Sequence, residues 1–136
     1  ARITTPWTTP RRRPSIFKPL LRTTGRTLQR KEKKHERNCC RRVLHDFGVP
    51  NVKLMHPGGE TGWPDRQYFI EGGKPFLVEW KEKGYTPELR QEYIHDMLRG
   101  LGYDVSWFDN EEEGYQAIRA RVEAARNSKA RRKVSR

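Results

Sequence analysis

Cysteine and long apolar runs are both scarce in this chain of 136 residues. The two cysteines are the neighbours Cys39 and Cys40. Adjacent cysteines rarely form a structural disulfide, and no Cys/His cluster has the spacing of a zinc site. No apolar run approaches the roughly 18 residues of a membrane span, and residues 1–20 carry prolines and arginines where a signal peptide has its apolar segment. These absences exclude disulfide-rich and zinc-finger classes and predict a cytoplasmic chain without a membrane span.

Acidic residues are scarce at both ends of the chain, although the whole carries 17 of them against 29 Lys and Arg, for a net charge of +12. Residues 1–34 hold eleven basic residues and one acid, and residues 116–136 hold eight and one. Residues 35–115 reverse the balance, with fifteen acids and ten basic residues. Basic ends attract polyanions whatever their sequence, and an acidic centre suits divalent cations. Nucleic acid is therefore the expected partner.

The two basic ends predict arms outside a central domain. Residues 1–26 are rich in Thr, Pro and Arg, and their prolines forbid a continuous helix, so we expect a flexible arm. Beyond residue 126 there is little to pack, which predicts a basic tail over 127–136 and a folded domain over 27–126. The arm residues predicted to contact phosphates are Arg11, Arg12 and Arg13.

Apolar periodicity within the domain predicts three helices and four strands. The first helix, over 27–47, carries a buried stripe and stops at Gly48. Thr86 and Pro87 start a second helix that runs to about residue 99. Asn110 caps a last helix that ends near Arg126. Strands are expected over 52–55, 66–70, 75–80 and 103–108. The order α-β-β-β-α-β, followed by the last helix, indicates an α/β domain with a mixed sheet flanked by helices.

The end of the third strand carries an acid and a base on one face. Side chains on a strand alternate, so Glu79 and Lys81 point one way and Trp80, with the apolar residues before it, points the other. Charged residues rarely occupy strand positions that valine could fill. The pattern therefore indicates an active site, which Asp65 would join from the start of the second strand.

The length of the loop between these two strands decides whether Asp65 reaches Glu79. A two-residue turn at Gly72-Gly73 places Asp65 opposite Trp80, on the wrong face. A three-residue loop over 71–73 places it across from Glu79. A shared site therefore predicts the three-residue loop, with a glycine in the left-handed region, or a compensating bulge.

These residue types suit the hydrolysis of a phosphodiester. The reaction requires an activated water, neutralised phosphate charge and help for the departing alkoxide. Asp65 and Glu79 are expected to hold Mg²⁺ or Mn²⁺, with the carbonyl of Trp80 as a further oxygen ligand. Lys81 is expected to orient or deprotonate the attacking water, or to stabilise the charge at phosphorus.

The motifs Gly62-x-Pro64-Asp65 and Glu79-x-Lys81, followed by Gln91, Leu98 and Gly102, resemble the VRR-NUC branch of the PD-(D/E)XK nuclease superfamily over about residues 32–110. The resemblance implies a PD-(D/E)XK nuclease-like fold and catalytic roles for Asp65, Glu79, Lys81 and Gln91. It also implies a metal-binding glutamate on the first helix, which is Glu36 or, as the other candidate, Glu32.

Stand-alone members of the family resemble phage proteins that act as homodimers on branched DNA such as four-way junctions. The expectation is thus a metal-dependent endodeoxyribonuclease, in the host cytoplasm if it is phage-encoded. The alternative is a non-catalytic nucleic-acid-binding protein of ribosomal or packaging type, which basic arms suit equally well. Cations expected to contact flanking phosphates are Lys53, Arg66, Lys83 and Arg90; each is otherwise a solvated charge. His95, on a helix with no partner spacing, is expected to be exposed or capping.

Overall fold

The computed structural model of the protein describes residues 25–55 and 61–135, with side chains from residue 31 onward. The arm with Arg11, Arg12 and Arg13 lies outside the described residues. The helices are α1 (Gly25–Phe47), α2 (Leu89–Gly100) and α3 (Glu111–Val134). The strands are β1 (Asn51–Lys53), β2 (Arg66–Ile70), β3 (Lys74–Trp80) and β4 (Asp104–Phe108). The predicted order of elements is confirmed.

The four strands form one mixed sheet in the order β1-β2-β3-β4. Strands β1, β2 and β3 pair antiparallel, and β4 runs parallel to β3. The parallel pair needs a crossover, which α2 provides. The expected α/β class with a mixed sheet flanked by helices is thus confirmed.

Helices cover the two faces of the sheet unequally. On one face α1 and α3 pack on a core that includes Tyr68, Phe76, Val78 and Trp80. On the other face α2 alone packs on a smaller cluster; its buried members are Leu77, Ile94, Leu98 and Val105. This alternation along β3 follows from the two-residue period of a strand.

The β2–β3 hairpin has the predicted three-residue loop. Arg66 pairs with Val78 and Ile70 pairs with Lys74, which leaves residues 71–73 in the turn. Gly72 and Gly73 have φ of 87° and 72°, in the left-handed region that favours glycine. Extending this register by one residue sets Asp65 across from Glu79, as the shared site requires.

Two helix boundaries differ from the prediction. Helix α2 begins at Leu89 with Glu88 as its N-cap, so the Thr-Pro pair at 86–87 precedes the helix. Helix α3 continues through the predicted tail to Val134, because its Ala, Arg and Lys residues are good helix formers even where they pack against nothing. The Asn110 cap is confirmed, since its side chain accepts the Glu113 N–H at 2.8 Å. Among the described residues, no helix combines the length and apolarity that crossing a membrane requires.

Candidate active site

The end of β3 places Glu79 and Lys81 together on the α2 face of the sheet. Lys81 Nζ lies 3.3 Å from Glu79 Oε1, and Glu79 is 3% exposed. The backbone of Lys81 is held by β4, because its N–H donates to the Phe108 carbonyl at 2.8 Å. Pairing with the parallel strand β4 therefore fixes the backbone that carries the acid and the base.

Asp65 reaches the same end of β3 from the start of β2. Its Oδ2 accepts the Trp80 N–H at 2.8 Å, and its own N–H donates to the Val78 carbonyl at 3.0 Å. Its carbonyl accepts the Leu54 N–H at 2.8 Å, which ties the residue to β1 as well. In an extended strand the N–H and C=O of one residue point to the same side. The Trp80 carbonyl therefore points toward the β2 edge, where the Asp65 carboxylate lies.

Gln91 joins the site from the first turn of α2. Its Nε2 donates to Glu79 Oε1 at 2.6 Å, and its Oε1 accepts the Glu88 N–H at 2.9 Å. Each end of the amide thus has one partner, which sets its orientation. Gln91 fixes one oxygen of Glu79 and leaves the other for a ligand.

Burial alters the acidity of both strand carboxylates. Loss of solvent, and then the nearby Asp65 charge, raise the pKa of Glu79 to about 8, against the lowering effect of Lys81. Burial also raises the pKa of Asp65, although its hydrogen bond from the Trp80 N–H acts in the opposite direction. Within the described residues, Glu79 Oε2 is buried and has no hydrogen-bond partner. Such an orphaned acceptor is the kind of group that a cation satisfies.

The two helix glutamates occupy different positions. Glu36 is buried and its Oε1 accepts a hydrogen bond from Arg66 Nε at 2.7 Å, so it is engaged in an ion pair on the α1 face. Glu32 lies near Lys81: burial raises the pKa of Glu32, while the charges of Lys81 and Asp65 act on that pKa in opposite directions. Of the two candidates from the sequence, Glu32 is thus the one whose pKa is lowered by the charge of Lys81.

The described residues contain no group of three or more His, Cys, Asp or Glu side chains arranged to hold a metal ion. The oxygens that fit a divalent cation are the free Oε2 of Glu79, the Asp65 carboxylate and the Trp80 carbonyl. Hard oxygen ligands of this kind suit Mg²⁺, which keeps several of its waters and therefore needs few protein ligands. The donor set fits such an ion without Glu36.

Two buried polar groups near the site were not predicted from the sequence, and the expectation that His95 is exposed or capping is wrong. His95 is 1% exposed, burial lowers its pKa, and its Nε2 has no partner among the described residues. Glu82 pairs with Lys31 at 3.6 Å while its Oε2 is buried without a partner in the same part of the chain. His95 lies four residues after Gln91, hence on the same side of α2, and this spacing is the signal that could have located it.

The cations expected to contact phosphates divide into two groups. Lys53, Lys83 and Arg90 are exposed, and Arg90 Nε donates to the Thr61 carbonyl at 2.8 Å. Arg66 is instead held by Glu36 and by Asn51, whose Oδ1 accepts from its Nη1 at 2.8 Å. Its guanidinium therefore links β2 to α1 through Glu36 and to β1 through Asn51.

Comparison with known proteins bears on the fold. No family model and no curated protein matches the sequence. A solved structure described as a VRR_NUC domain matches with a TM-score of 0.58 and 23% identity, over 65% of this chain and 95% of that one. The arrangement shared with that structure spans nearly all of it, and the fold expected from the sequence motifs is confirmed: this chain has the fold of the VRR_NUC domain.

Proposed function

We propose that this chain is a metal-dependent endonuclease that hydrolyses DNA phosphodiester bonds. The observation that carries the proposal is the buried Oε2 of Glu79, which has no partner among the described residues although Lys81 and Gln91 hold the other oxygen of that carboxylate. An unpaired buried acceptor is unfavourable by about 1–3 kcal/mol. Its retention beside Asp65 favours a cation-binding role, and the VRR_NUC fold supports a nuclease.

The residues divide the work of hydrolysis among them. Asp65, Glu79 and the Trp80 carbonyl would hold Mg²⁺ or Mn²⁺, which when bound neutralises phosphate charge and lowers the pKa of a bound water. The Lys81 ammonium, paired with Glu79, orients the attacking water and stabilises the charge that develops at phosphorus. The water releases its proton to solvent as its oxygen bonds to phosphorus. The phosphorus–oxygen bond to the departing alkoxide breaks, and that oxygen takes a proton from solvent. Gln91 positions Glu79 through the 2.6 Å hydrogen bond.

Selectivity for branched DNA such as four-way junctions, and action as a homodimer, complete the proposal. Both rest on the resemblance of the sequence motifs to stand-alone VRR-NUC proteins. A symmetric dimer is a direct means of cutting two strands at related positions.

The decisive experiment compares cleavage of a labelled four-way junction and a matched linear duplex, with Mg²⁺, with Mn²⁺ and with chelator. The variants are Glu79→Gln and Lys81→Ala, and Lys74→Ala is the matched control, since Lys74 is exposed at the opposite end of the same strand. We expect metal-dependent cleavage that falls at least about 100-fold in both site variants, the size of a lost transition-state interaction, and is unchanged in the control.

Junction cleavage above duplex cleavage supports the branched substrate, and equal cleavage of both refutes that part alone. Tight binding of both substrates without products under any metal condition refutes the enzyme. That result would favour the alternative, a nucleic-acid-binding structural protein.

A further inference from the structure

A basic groove lies on the α1 side of the candidate active site. It runs between α1 and the β1–β2 edge of the sheet and encloses a cavity of about 270 Å³. Four cations line it: Lys33, Arg37 and Arg41 on α1, and Lys53 on β1. All four side chains are exposed, so the groove is open to a ligand from solvent.

The three α1 cations form a regular row. They are four residues apart, and side chains at i, i+4 and i+8 lie on one face of a helix, about 6 Å apart along its axis. Lys53 faces this row from the neighbouring strand. A row of single charges at regular intervals suits an extended polyanion better than one compact anion, because each charge can meet a different phosphate.

These four cations lack acidic partners, whereas several other cations of the domain are ion-paired. Within residues 31–55 and 61–135, none of the four has a carboxylate oxygen within 4.0 Å. Arg42, on the opposite side of α1, pairs with both Glu111 and Glu112. Further arginines are paired as well: Arg99, Arg119, Arg121 and Arg126. Other exposed cations, such as Lys83, Arg90 and those at the end of α3, are also without an ion pair among the described residues. What distinguishes the groove is that four such cations line one cavity.

The floor of the groove has no unpaired negative charge. Glu36, its one carboxylate, is neutralised by Arg66 at 2.7 Å, and Asn51 holds the other side of that guanidinium at 2.8 Å. Cys40 also lines the floor, and burial raises the pKa of its thiol, which therefore stays uncharged at neutral pH. No free negative charge is left in the floor to repel a phosphate.

The groove adjoins the catalytic carboxylates. Arg66, which lines the groove, directly follows Asp65 in the chain and pairs with Lys53 across β1 and β2. The residue after Lys53, Leu54, donates its N–H to the Asp65 carbonyl at 2.8 Å. A strand bound along α1 would therefore continue directly to the Asp65 side of the site.

We propose that this groove binds the phosphate backbone of the nucleic-acid strand next to the bond that is cut, and so sets how the strand enters the site. The proposal rests on the proposed function, since it assumes a nucleic-acid substrate. It assigns the contacts to Lys33, Arg37, Arg41 and Lys53, and it makes Arg66 a support for the floor.

The test is a binding measurement on the full chain in chelator, where no cleavage occurs, using a fluorescein-labelled junction and anisotropy at several salt concentrations. The variant is Lys33→Gln/Arg37→Gln/Arg41→Gln. The matched control is Arg99→Gln/Arg119→Gln/Arg126→Gln, which removes the same charge from exposed arginines that are already ion-paired. Glutamine keeps the helix propensity, and thermal melting checks that both variants fold.

We expect the groove variant to bind at least about 10-fold more weakly at physiological salt. The slope of log K against log salt should fall by roughly 0.9 for each phosphate that the variant no longer neutralises. The control should change affinity less than about 3-fold. An unchanged salt slope in the groove variant, or an equal loss of affinity in the control, would refute the proposal that the groove binds the phosphate backbone.

Cleavage by the same preparations separates this proposal from the first. If Lys81→Ala abolishes cleavage while the groove variant binds normally, the endonuclease activity is supported and the binding role of the groove is refuted. If no preparation cleaves under any metal condition but the groove variant alone loses binding, the binding role of the groove is supported and the endonuclease activity is refuted.

Discussion

The two faces of the sheet treat buried carboxylates differently. Among the described residues, the one buried carboxylate on the face covered by α1 and α3 is Glu36, which is paired with Arg66. On the face covered by α2 alone, Glu79 Oε2 is buried without a partner in the same part of the chain. Two uncharged groups are also buried without partners among these residues: His95 Nε2 on α2 and Trp80 Nε1 in the aromatic core. Natural proteins satisfy nearly all such groups, so the exceptions require an explanation.

The difference follows from the unequal contributions of the two faces to stability. The face with two helices holds the larger aromatic core, in which Trp80, Phe76 and Tyr68 are all at most 1% exposed. That face supplies most of the hydrophobic stabilisation. Because the stability comes mainly from that face, the α2 face, whose own core is small, can retain an unfavourable group such as the unpaired Glu79 oxygen. Strand β3 belongs to both faces, so substitutions along it should have opposite effects on stability.

The largest expected effect is on the aromatic face. Phe76→Ala should lower the free energy of unfolding by about 3–5 kcal/mol, because it removes a fully buried ring and leaves a cavity. The matched control is Phe69→Ala on the adjacent strand, whose side chain is 44% exposed. It should lower that free energy by less than about 1 kcal/mol. Urea unfolding measures both, and equal losses would contradict the division into a larger core under α1 and α3 and a smaller one under α2.

The next effect tests the α2 face through pH. Burial raises the pKa of Glu79 to about 8, above the ordinary 4.5 of the unfolded chain, so the folded state binds more protons between these values. The contribution of Glu79 to stability without metal should therefore be fully present below about pH 4.5 and should be lower by on the order of 4 kcal/mol at about pH 8. Urea unfolding in chelator across this range measures the slope.

Glu79→Gln provides the control for that prediction. It removes the titrating group while keeping the shape, so its stability should vary much less with pH and exceed that of the wild type near pH 8. A wild-type protein that becomes more stable as pH rises through this range would contradict the burial of a carboxylate without a cation.

Gly114 tests the packing of the aromatic face from the helix side. A Cβ at this position would clash with Cη2 of the Trp80 ring, which is buried. Gly114→Ala should therefore lower the free energy of unfolding by about 1–3 kcal/mol, despite the better helix propensity of alanine.

Gly100 is the matched control, since it is also in a helix and a Cβ there meets nothing within 4 Å. Gly100→Ala should raise the free energy of unfolding by up to about 1 kcal/mol. Calorimetric or urea unfolding of the pair gives the comparison, and two variants of equal stability would show that Trp80 yields to the added methyl group.

The smallest effect concerns the rim of the aromatic face. Arg121 lies with its guanidinium carbon 3.7 Å from the centre of the Phe76 ring and also pairs with Asp104. Arg121→Met should cost about 0.5–1 kcal/mol, the size of an exposed cation–π contact. Arg119→Met, which breaks only an exposed pair with Glu123, should cost less than about 0.5 kcal/mol. Equal costs in urea unfolding would show that the ring contact contributes nothing measurable.

Much of the site could be predicted from local sequence because it depends on one strand and one loop. The alternation of side chains placed Glu79 and Lys81 on one face, and the Gly72-Gly73 pair made a left-handed turn possible, so the register that brings Asp65 across from Glu79 was open to prediction. The length of α3 was not, because residues 127–134 form a helix without an apolar stripe, and periodicity detects only helices that pack.

The roles of Glu32, Glu36 and His95 depend on how helices sit on the sheet. Glu32 and Glu36 share one face of α1, one turn apart, and local spacing treats them alike. Only the position of α1 against β2 pairs Glu36 with Arg66 and leaves Glu32 near Lys81. In the same way His95 is buried because of how α2 lies on the sheet.

The sequence by itself determined the order of elements, the two faces of β3 and the hairpin loop, since backbone geometry and neighbouring residues settle these. The tertiary structure decided which helix carboxylate lies near the lysine, which arginines are neutralised and which acceptor of Glu79 is left unpaired. Those outcomes arise from contacts between residues far apart in the chain, such as the 30 residues that separate Glu36 from Arg66. No local pattern encodes such contacts, because they depend on the relative positions of whole elements.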